Sequence, residues 1–440
     1  MDPDKGTKAY EKENRKGRSK TFKNLNSGNL IRHLSQVISN SFLIAFFNIA
    51  FQLIMSRKLG PEQYGELQTL MTINSIVLIV LASIGFVVAK FVSYYKTRQQ
   101  YDKMKFLAQW SFIFFFILGG GAFIITVMLS RLVADYLNIV DYTIIVIFGI
   151  YVWVNFLIPI VDGILRGLQE FKFVGRDKII ESFSRILFGV ILVYAGFGLK
   201  SIIGGLAAAS AITTIVCGYI LKKIYINKPY KIEMREIYLF AVPVFFAFLS
   251  YAILSNIDII LVKHFFDAKT TGYFAAAGAI AKTMLSISFG SAGVMFPKII
   301  EYYSNGNKEK MLKMLKNTLK ITTILGVILT AIIAIFPEQI VYIFFGHQYV
   351  TDYMLSVYVI ATLLLSIATV LMMYDLAVKK YDFLWIFAIG AFIEIYQIYI
   401  NHNTIYDVVW TLLVINAIIL VYMIIYNRKI LIESMTRTRN

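Results

Sequence analysis

The chain has 440 residues, is 58% hydrophobic and only 16% charged, and has a mean hydropathy of +0.69. A soluble globular protein carries about 25% charged residues, so a water-solvated fold is excluded and lipid is the expected solvent. The net charge of +17 is not a nucleic-acid signature, because the basic residues cluster between apolar runs in a pattern that membrane topology explains.

Residues 1–28 are polar and basic, with no apolar centre. They are expected to form a disordered tail, not a cleavable signal peptide. A spanning helix needs about 20 apolar residues. Runs of that kind follow at Ser35–Met55, Gln68–Tyr94, Phe106–Ser130, Asp141–Val161, Ile179–Leu199 and Ser201–Leu221. Six more occupy Ile237–Val262, Tyr273–Lys298, Asn317–Pro337, Asp352–Tyr374, Asp382–Ile400 and Ile405–Asn427. Twelve transmembrane helices are therefore predicted in an all-α polytopic membrane protein.

Basic residues fill alternate loops. They run from Lys5 to Arg32 before the first span, then through Lys96–Lys105, Arg166–Lys178, Lys222–Arg235, Lys298–Lys320, Lys379 and Lys380, and the tail from Arg428. The opposite side holds only Arg57, Lys58, Arg131, Lys200, Lys263 and Lys269. Positive charge is retained on the cytosolic side, beside an anionic leaflet. Both termini are thus expected in the cytosol, with the protein in the plasma membrane. The divisions that follow are a tail at 1–28, six spans in 29–222, a cytosolic linker at 223–236, six spans in 237–427, and a tail at 428–440.

"LGPEQYG" at 59–65 is then an outer turn, where Pro61 cannot continue a helix and the glycines permit turn geometry. The same place in the second half reads "FFDAKTTGYFAAAGAI" at 265–280, with Gly65 falling on Gly272. "KFVSYY" and "KIIEYY" match at 90–95 and 298–303, and "YDKMKFL" matches "KEKMLKML". Six spans per half preserve orientation, so the halves form a parallel repeat. Such repeats occur in secondary transporters, with the binding site between the halves.

Enzymatic signals are missing. No GxxxxGK[ST] segment is present, His33, His264, His347 and His402 are scattered, and there is no HExxH or Cys/His cluster. The single cysteine, Cys217, cannot form a disulfide within the chain. No cofactor, metal or catalytic residue is expected, and the outer loops are too short for a glycosyltransferase.

Charges in the bilayer are costly and face a cavity or a partner. The basic ones inside the spans are Lys90, Arg185 and Lys282; the acidic ones include Glu181, Asp258 and Glu394. Lys282 lies about nine residues, roughly 13 Å, from the outer end of its span. That is too deep to snorkel easily, so it is expected to face a cavity. Lys90 is close enough to the cytosolic end for either role. Arg185 follows Glu181 by four residues and can pair with it. Asp258 suits a coupling proton or cation, or an ion pair with Lys282 or Lys263. Glu394 is a similar candidate. Asn48 and Gln52 share one face of the first span near Ser41, and Asn74 and Ser75 sit in the second; such amides either glue helices together or line a cavity. Pro159, Pro243 and Pro297 are candidate bends.

"LIMSRKLGPEQYGELQTLMTI", "DGILRGLQEFKFVGRDKIIESFSRILFGVILVYAGFGLKSIIGGLAAA" and "IDIILVKHFFDAKTTGYFAAAGAIAKTMLSISFGSAGVMFPKI" resemble the polysaccharide transporter, or O-antigen flippase, family. The resemblance spans about residues 30–427. It implies two six-helix lobes around a central cavity, in the superfamily that also holds MATE drug exporters and the lipid II flippase. It implies alternating-access transfer of polyprenyl-diphosphate-linked oligosaccharide from the cytosolic to the outer leaflet. The implied partners are that lipid-linked oligosaccharide, membrane lipid and other polysaccharide-assembly proteins. Lys90, Lys282, Asn48, Gln52 and Asn74 would line the cavity, with Asp258, Glu181, Arg185 and Glu394 as coupling groups or charge pairs. The lipid II flippase type usually has fourteen spans, not twelve. A cation-coupled exporter of drugs or metabolites is the alternative on the same scaffold.

Overall fold

A computed structural model describes residues 27–168, 170–196, 198–221, 234–349 and 353–428. The tail before residue 27, residues 222–233 of the linker, the tail beyond 428, and the side chains of Ser41 and Cys217 lie outside the described residues. All regular structure among the described residues is helical. Hydrocarbon offers no partner to backbone N–H and C=O groups, so a spanning segment must satisfy them internally.

The first stretch, Ser27–Thr97, is broken only at Gly60, whose φ of 71° and ψ of 174° lie outside helical space. It divides into α1 (27–59) and α2 (61–97). The expected turn at 59–65 is thus one glycine, followed by Pro61, whose missing N–H costs nothing at a helix start. The chain continues with α3 (Tyr101–Met128), short α4 (Ser130–Tyr136), α5 (Thr143–Asn155), α6 (Ile158–Gly167), α7 (Phe171–Tyr194) and α8 (Leu199–Leu221). The second half has α9 (Met234–Phe265), α10 (Ala268–Ala281), α11 (Thr283–Ser304), α12 (Lys308–Ile335) and short α13 (Pro337–Phe345). It closes with α14 (Tyr353–Ala377), α15 (Leu384–Ile400) and α16 (Ile405–Tyr426).

Among the described residues, nine helical stretches are long and apolar enough to cross a membrane. One of these, Phe46–Thr97, contains the two legs on either side of Gly60. The shorter α15 and the charge-bearing α7 complete twelve crossings in two six-helix lobes. Exposed Ile117, Ile125, Trp385 and Phe392 lie on outward faces, as a lipid-solvated surface requires.

Two spans are split. The fourth divides into α5 and α6 around Phe156 and Leu157, with Pro159 in the first turn of α6. The eighth divides at Lys282. Pro243 and Pro297 lie inside continuous α9 and α11, so of the three proline sites only Pro159 adjoins a break. Helices α3 and α12 begin earlier than hydropathy suggests, because polar first turns extend them; Asn307 caps α12 by accepting from the Lys310 amide at 3.1 Å.

The repeat is closely registered. Positions 61 and 268, 101 and 308, and 130 and 337 begin equivalent helices, and one constant offset, that between Gly65 and Gly272, relates each pair. The short helices α4 and α13, absent from the hydropathy reading, obey the same offset. The lobes join at the Gly60 end, and again farther along α2, where Phe86 packs on Phe248 of α9 and Phe296 of α11. At the Gly60 end one core cluster unites Tyr64, Leu67 and Leu70 of α2 with Phe274 to Ala277 of α10 and with Phe345 and Tyr349. Where Gly60 turns the first repeat, Asp267 turns the second, accepting from the Lys269 and Thr270 amides at 3.1 Å each.

Candidate functional site

Glu181 and Arg185 of the first lobe belong to one charge cluster centred on α7. Positions 178, 181 and 185 share a helix face, because side chains three and four apart are neighbours. Arg185 Nη2 lies 2.9 Å from Glu181 Oε1, and Lys178 Nζ lies 3.0 Å from Glu181 Oε2. Lys178 also reaches Asp162 of α6 at 3.6 Å. Arg185 Nη1 extends to Asn48 Oδ1 of α1 at 3.5 Å, and Tyr151 of α5 is close to both Arg185 and Glu181. The expected Glu181–Arg185 pair is present, and Lys178, read in the sequence only as a cytosolic-loop residue, is its second base.

The second lobe has a different balance. Asp258 of α9 is buried; its Oδ1 accepts from Lys282 Nζ at 2.8 Å and its Oδ2 accepts from the Tyr358 hydroxyl of α14. Lys282 occupies the break between α10 and α11, where the chain has left one helix and not yet entered the next. Of the alternatives open for Asp258, the ion pair with Lys282 forms. Lys263 turns elsewhere, to Glu66 at 3.4 Å. Glu394 of α15 is fully buried, close to Asp258 and Lys282, and neither carboxyl oxygen has a hydrogen-bond partner. Tyr151 and Tyr358 are equivalent positions of the repeat, and each sits near the buried glutamate of its own lobe. Glu181 has two bases and Glu394 has no hydrogen-bond partner; the two glutamates are not themselves equivalent, since the offset places Glu181 on Ala388 and Glu394 on Leu187.

Lys90 lies elsewhere, on the seam between the lobes at the end away from Gly60. It stands 3.4 Å from the Phe240 ring centroid. With Phe86, Phe240, Phe248, Phe296, Ile300 and Met373 it lines a recess of about 80 Å³, and among the described lining residues it is the single charged group. Gln52 does not join either charge cluster: its Oε1 accepts from Tyr64 at 2.8 Å and Gln68 at 2.6 Å, tying α1 to α2. Asn74 is buried with its Oδ1 unpartnered. The sequence-predicted residues thus fall into two lobe clusters, one helix tie and one seam, with Asn74 apart from all four. Among the described residues, no group of three or more His, Cys, Asp or Glu could hold a metal ion.

Tyr358, Asp162, Tyr64 and the Lys263–Glu66 pair were not singled out in the sequence. Tyr358 is 100 residues from its partner Asp258, and no local spacing encodes such a contact.

The profile of a family described as polysaccharide biosynthesis protein matches residues 54–353. No curated protein matches the sequence significantly. Solved structures similar to the chain include three transporters. One is the inward-facing conformation of a multidrug resistance MATE family transporter of the MOP superfamily. It is 16% identical with a TM-score of 0.72, covering 89% of this chain and 95% of that one. The MATE multidrug transporter DinF-BH, in complex with R6G, is 16% identical with a TM-score of 0.70, covering 92% and 96%. A MOP superfamily transporter from Pyrococcus furiosus, described as having a binding pocket of reversed polarity, is 16% identical with a TM-score of 0.66, covering 91% and 95%. At these identities the likeness is one of fold.

Proposed function

The chain belongs to the polysaccharide biosynthesis protein family, and from that premise we propose that it moves lipid-linked oligosaccharide, carried on a polyprenyl diphosphate, from the cytosolic to the outer leaflet. The basic loops orient the Lys96 end toward the cytosol and the Gly60 end outward. Transfer proceeds by alternating access between the two lobes. Burying a sugar hydroxyl without a partner costs about 2 kcal/mol or more, so a glycan crosses lipid slowly unless a polar path is supplied. The hydrocarbon tail needs no such path and stays in the bilayer.

The observation that carries this reading is the Lys90 recess. One cation over an otherwise apolar pocket on the lobe seam suits an anionic diphosphate with a hydrocarbon chain attached. It does not suit a cationic drug. Lys90 would receive the diphosphate, and the surrounding phenylalanines the first isoprene units. In the second lobe, Glu394 supplies the coupling group. An unpartnered buried carboxylate is costly whereas a carboxylic acid is not, so Glu394 suits a proton taken up and released as the Asp258–Lys282 pair opens and closes.

A second reading, a cation-coupled exporter of small molecules, is favoured by that same acidic cluster. One experiment separates the two. In a strain lacking the protein, the flippase predicts loss of surface polysaccharide with lipid-linked oligosaccharide accumulating on the cytosolic leaflet. Normal surface glycan with increased sensitivity to cationic drugs would overturn it in favour of the exporter.

A further inference from the structure

The Gly60 ends of the lobes are joined by side chains that cross between them in repeat-related pairs. Arg57 Nη2 of the first lobe donates to the Ile343 carbonyl of the second at 2.7 Å. His264 Nδ1 of the second lobe lies 2.7 Å from the Tyr136 carbonyl of the first. A carbonyl only accepts, so Nδ1 carries the hydrogen and donates. Arg57 and His264 are equivalent positions, separated by the offset that relates Gly65 to Gly272, and so are Tyr136 and Ile343. The two bonds are therefore one interaction seen from both sides of the repeat axis. The His264 ring also stacks on Tyr136, with centroids 3.9 Å apart.

A second pair lies beside the first. The Tyr349 hydroxyl donates to the Ser56 carbonyl at 2.9 Å. Asn138 Nδ2 donates to the carbonyls of Lys263 at 3.4 Å and His264 at 3.1 Å. Ser56 and Lys263 are again equivalent under the same offset. Lys263 returns the contact, its Nζ reaching Glu66 at 3.4 Å and the Asn138 carbonyl at 3.5 Å.

The carbonyls that accept the Arg57, His264, Tyr349 and Asn138 donors all belong to last turns: Ile343 in α13, Tyr136 in α4, Ser56 in α1, Lys263 and His264 in α9. The last four carbonyls of a helix have no partner within it. Each lobe thus presents orphan acceptors, and the other lobe supplies their donors. At the aqueous end of a membrane protein, water can replace those donors when the lobes part. Opening then leaves no acceptor unsatisfied; each neutral bond exchanged for water changes the free energy only slightly, and the bond from the Arg57 cation by more.

We propose that these residues form a pseudo-two-fold clasp that shuts the outer end of the transport path and releases as a unit, with Arg57 and His264 as its paired donors. This deepens the alternating-access reading and rests on it. The device differs from a static interface in that its bonds are confined to groups water can satisfy.

The test uses the full chain in lipid nanodiscs, with Cys217→Ser and spin labels on Asp135→Cys and Glu338→Cys, which are exposed on the short helices of opposite lobes. Double electron–electron resonance then reads the separation of the Gly60 ends. Removing both donors, Arg57→Ala with His264→Ala, is expected to lower the ratio of short to long separations by about tenfold, while the melting profile shows the protein still folded. Arg57→Lys with His264→Gln restores donors and is expected to restore the short population. An unchanged distribution in the double alanine variant, or no recovery in the donor-restoring one, overturns the clasp. The readout involves no glycan. Surface polysaccharide that stays normal in the strain lacking the protein would defeat the transport reading and leave the measured lobe contact standing.

Discussion

Gly65 and Gly272, equivalent residues of the two repeats, lie against each other where the lobes meet. A Cβ on Gly65 would sit 2.9 Å from the Gly272 nitrogen, and one on Gly272 would sit 2.1 Å from the Pro61 carbonyl oxygen. The obstacles are backbone atoms, which no rotamer change relieves. Gly272→Ala is expected to destabilise the protein by about 1–3 kcal/mol through overpacking, and to lower its melting temperature. Gly121→Ala is the control: nothing lies within 4 Å of its added Cβ, and alanine there favours the helix. Thermal unfolding of both variants in detergent decides the matter; equal melting temperatures would refute the tight contact.

Asp267 caps α10 with its carboxylate. The Thr270 hydroxyl and the neighbouring amides hold that carboxyl below its ordinary value of 3.8. A depressed carboxylate contributes stability that is present above the unfolded value and is lost as pH falls through the folded one. Asp267→Ala is expected to cost about 0.5–2 kcal/mol at neutral pH, and the difference from wild type should shrink as the pH falls below 3.8 and be lost only below the lower folded value, where the wild-type group protonates. A penalty that persists undiminished in acid would show that the cap is not the cause.

Lys282→Ala should leave Asp258 buried beside Tyr358 without its cation. Removing one partner of a buried ion pair costs about 3–5 kcal/mol, and the lower figure applies because Lys282 keeps 22% side-chain exposure. Asp258→Asn with Lys282→Ala should recover much of the loss. A double-mutant cycle by thermal or denaturant unfolding measures the coupling; additive effects would mean that the pair contributes nothing as a pair.

Glu394→Gln replaces an unpartnered buried acid with its neutral isostere. Its stability should change by less than about 1 kcal/mol, since no hydrogen bond is lost. Transport in proteoliposomes should lose its response to an imposed proton gradient. Wild-type gradient dependence in this variant would remove Glu394 from the coupling role.

Lys90→Gln should weaken binding of a polyprenyl diphosphate in nanodiscs by about tenfold, equivalent to roughly 1.4 kcal/mol. Lys90→Arg should retain most of the affinity because the charge persists. Equal affinities for all three proteins would take the diphosphate away from this recess.

Much of the architecture was legible along the chain. Hydropathy located all twelve crossings, because lipid imposes a length and a composition on each span separately. The equivalence of Gly65 and Gly272 was legible too, since a repeat is a relation between stretches of sequence. The Glu181–Arg185 pair was readable from its four-residue spacing, which sets neighbours on one helix face. Helix breaks were less legible. Gly60 marked one, whereas Lys282 carries no local breaking signal and Pro297 lies inside an unbroken helix.

The sequence by itself determined the solvent, the number of crossings, the parallel repeat and the candidate charges. Tertiary structure alone decided which charges meet. Asp258 chose Lys282 and Tyr358, Lys263 went to Glu66, and Glu394 was left without a hydrogen-bond partner. Only the packed lobes showed that Arg57 and His264 cross to opposite carbonyls. The physical reason is range. Burial in lipid and helix periodicity act within a span and leave their pattern in consecutive residues. Ion pairs and cross-lobe hydrogen bonds form between helices whose separation in sequence is set by connectivity and whose contact is set by packing.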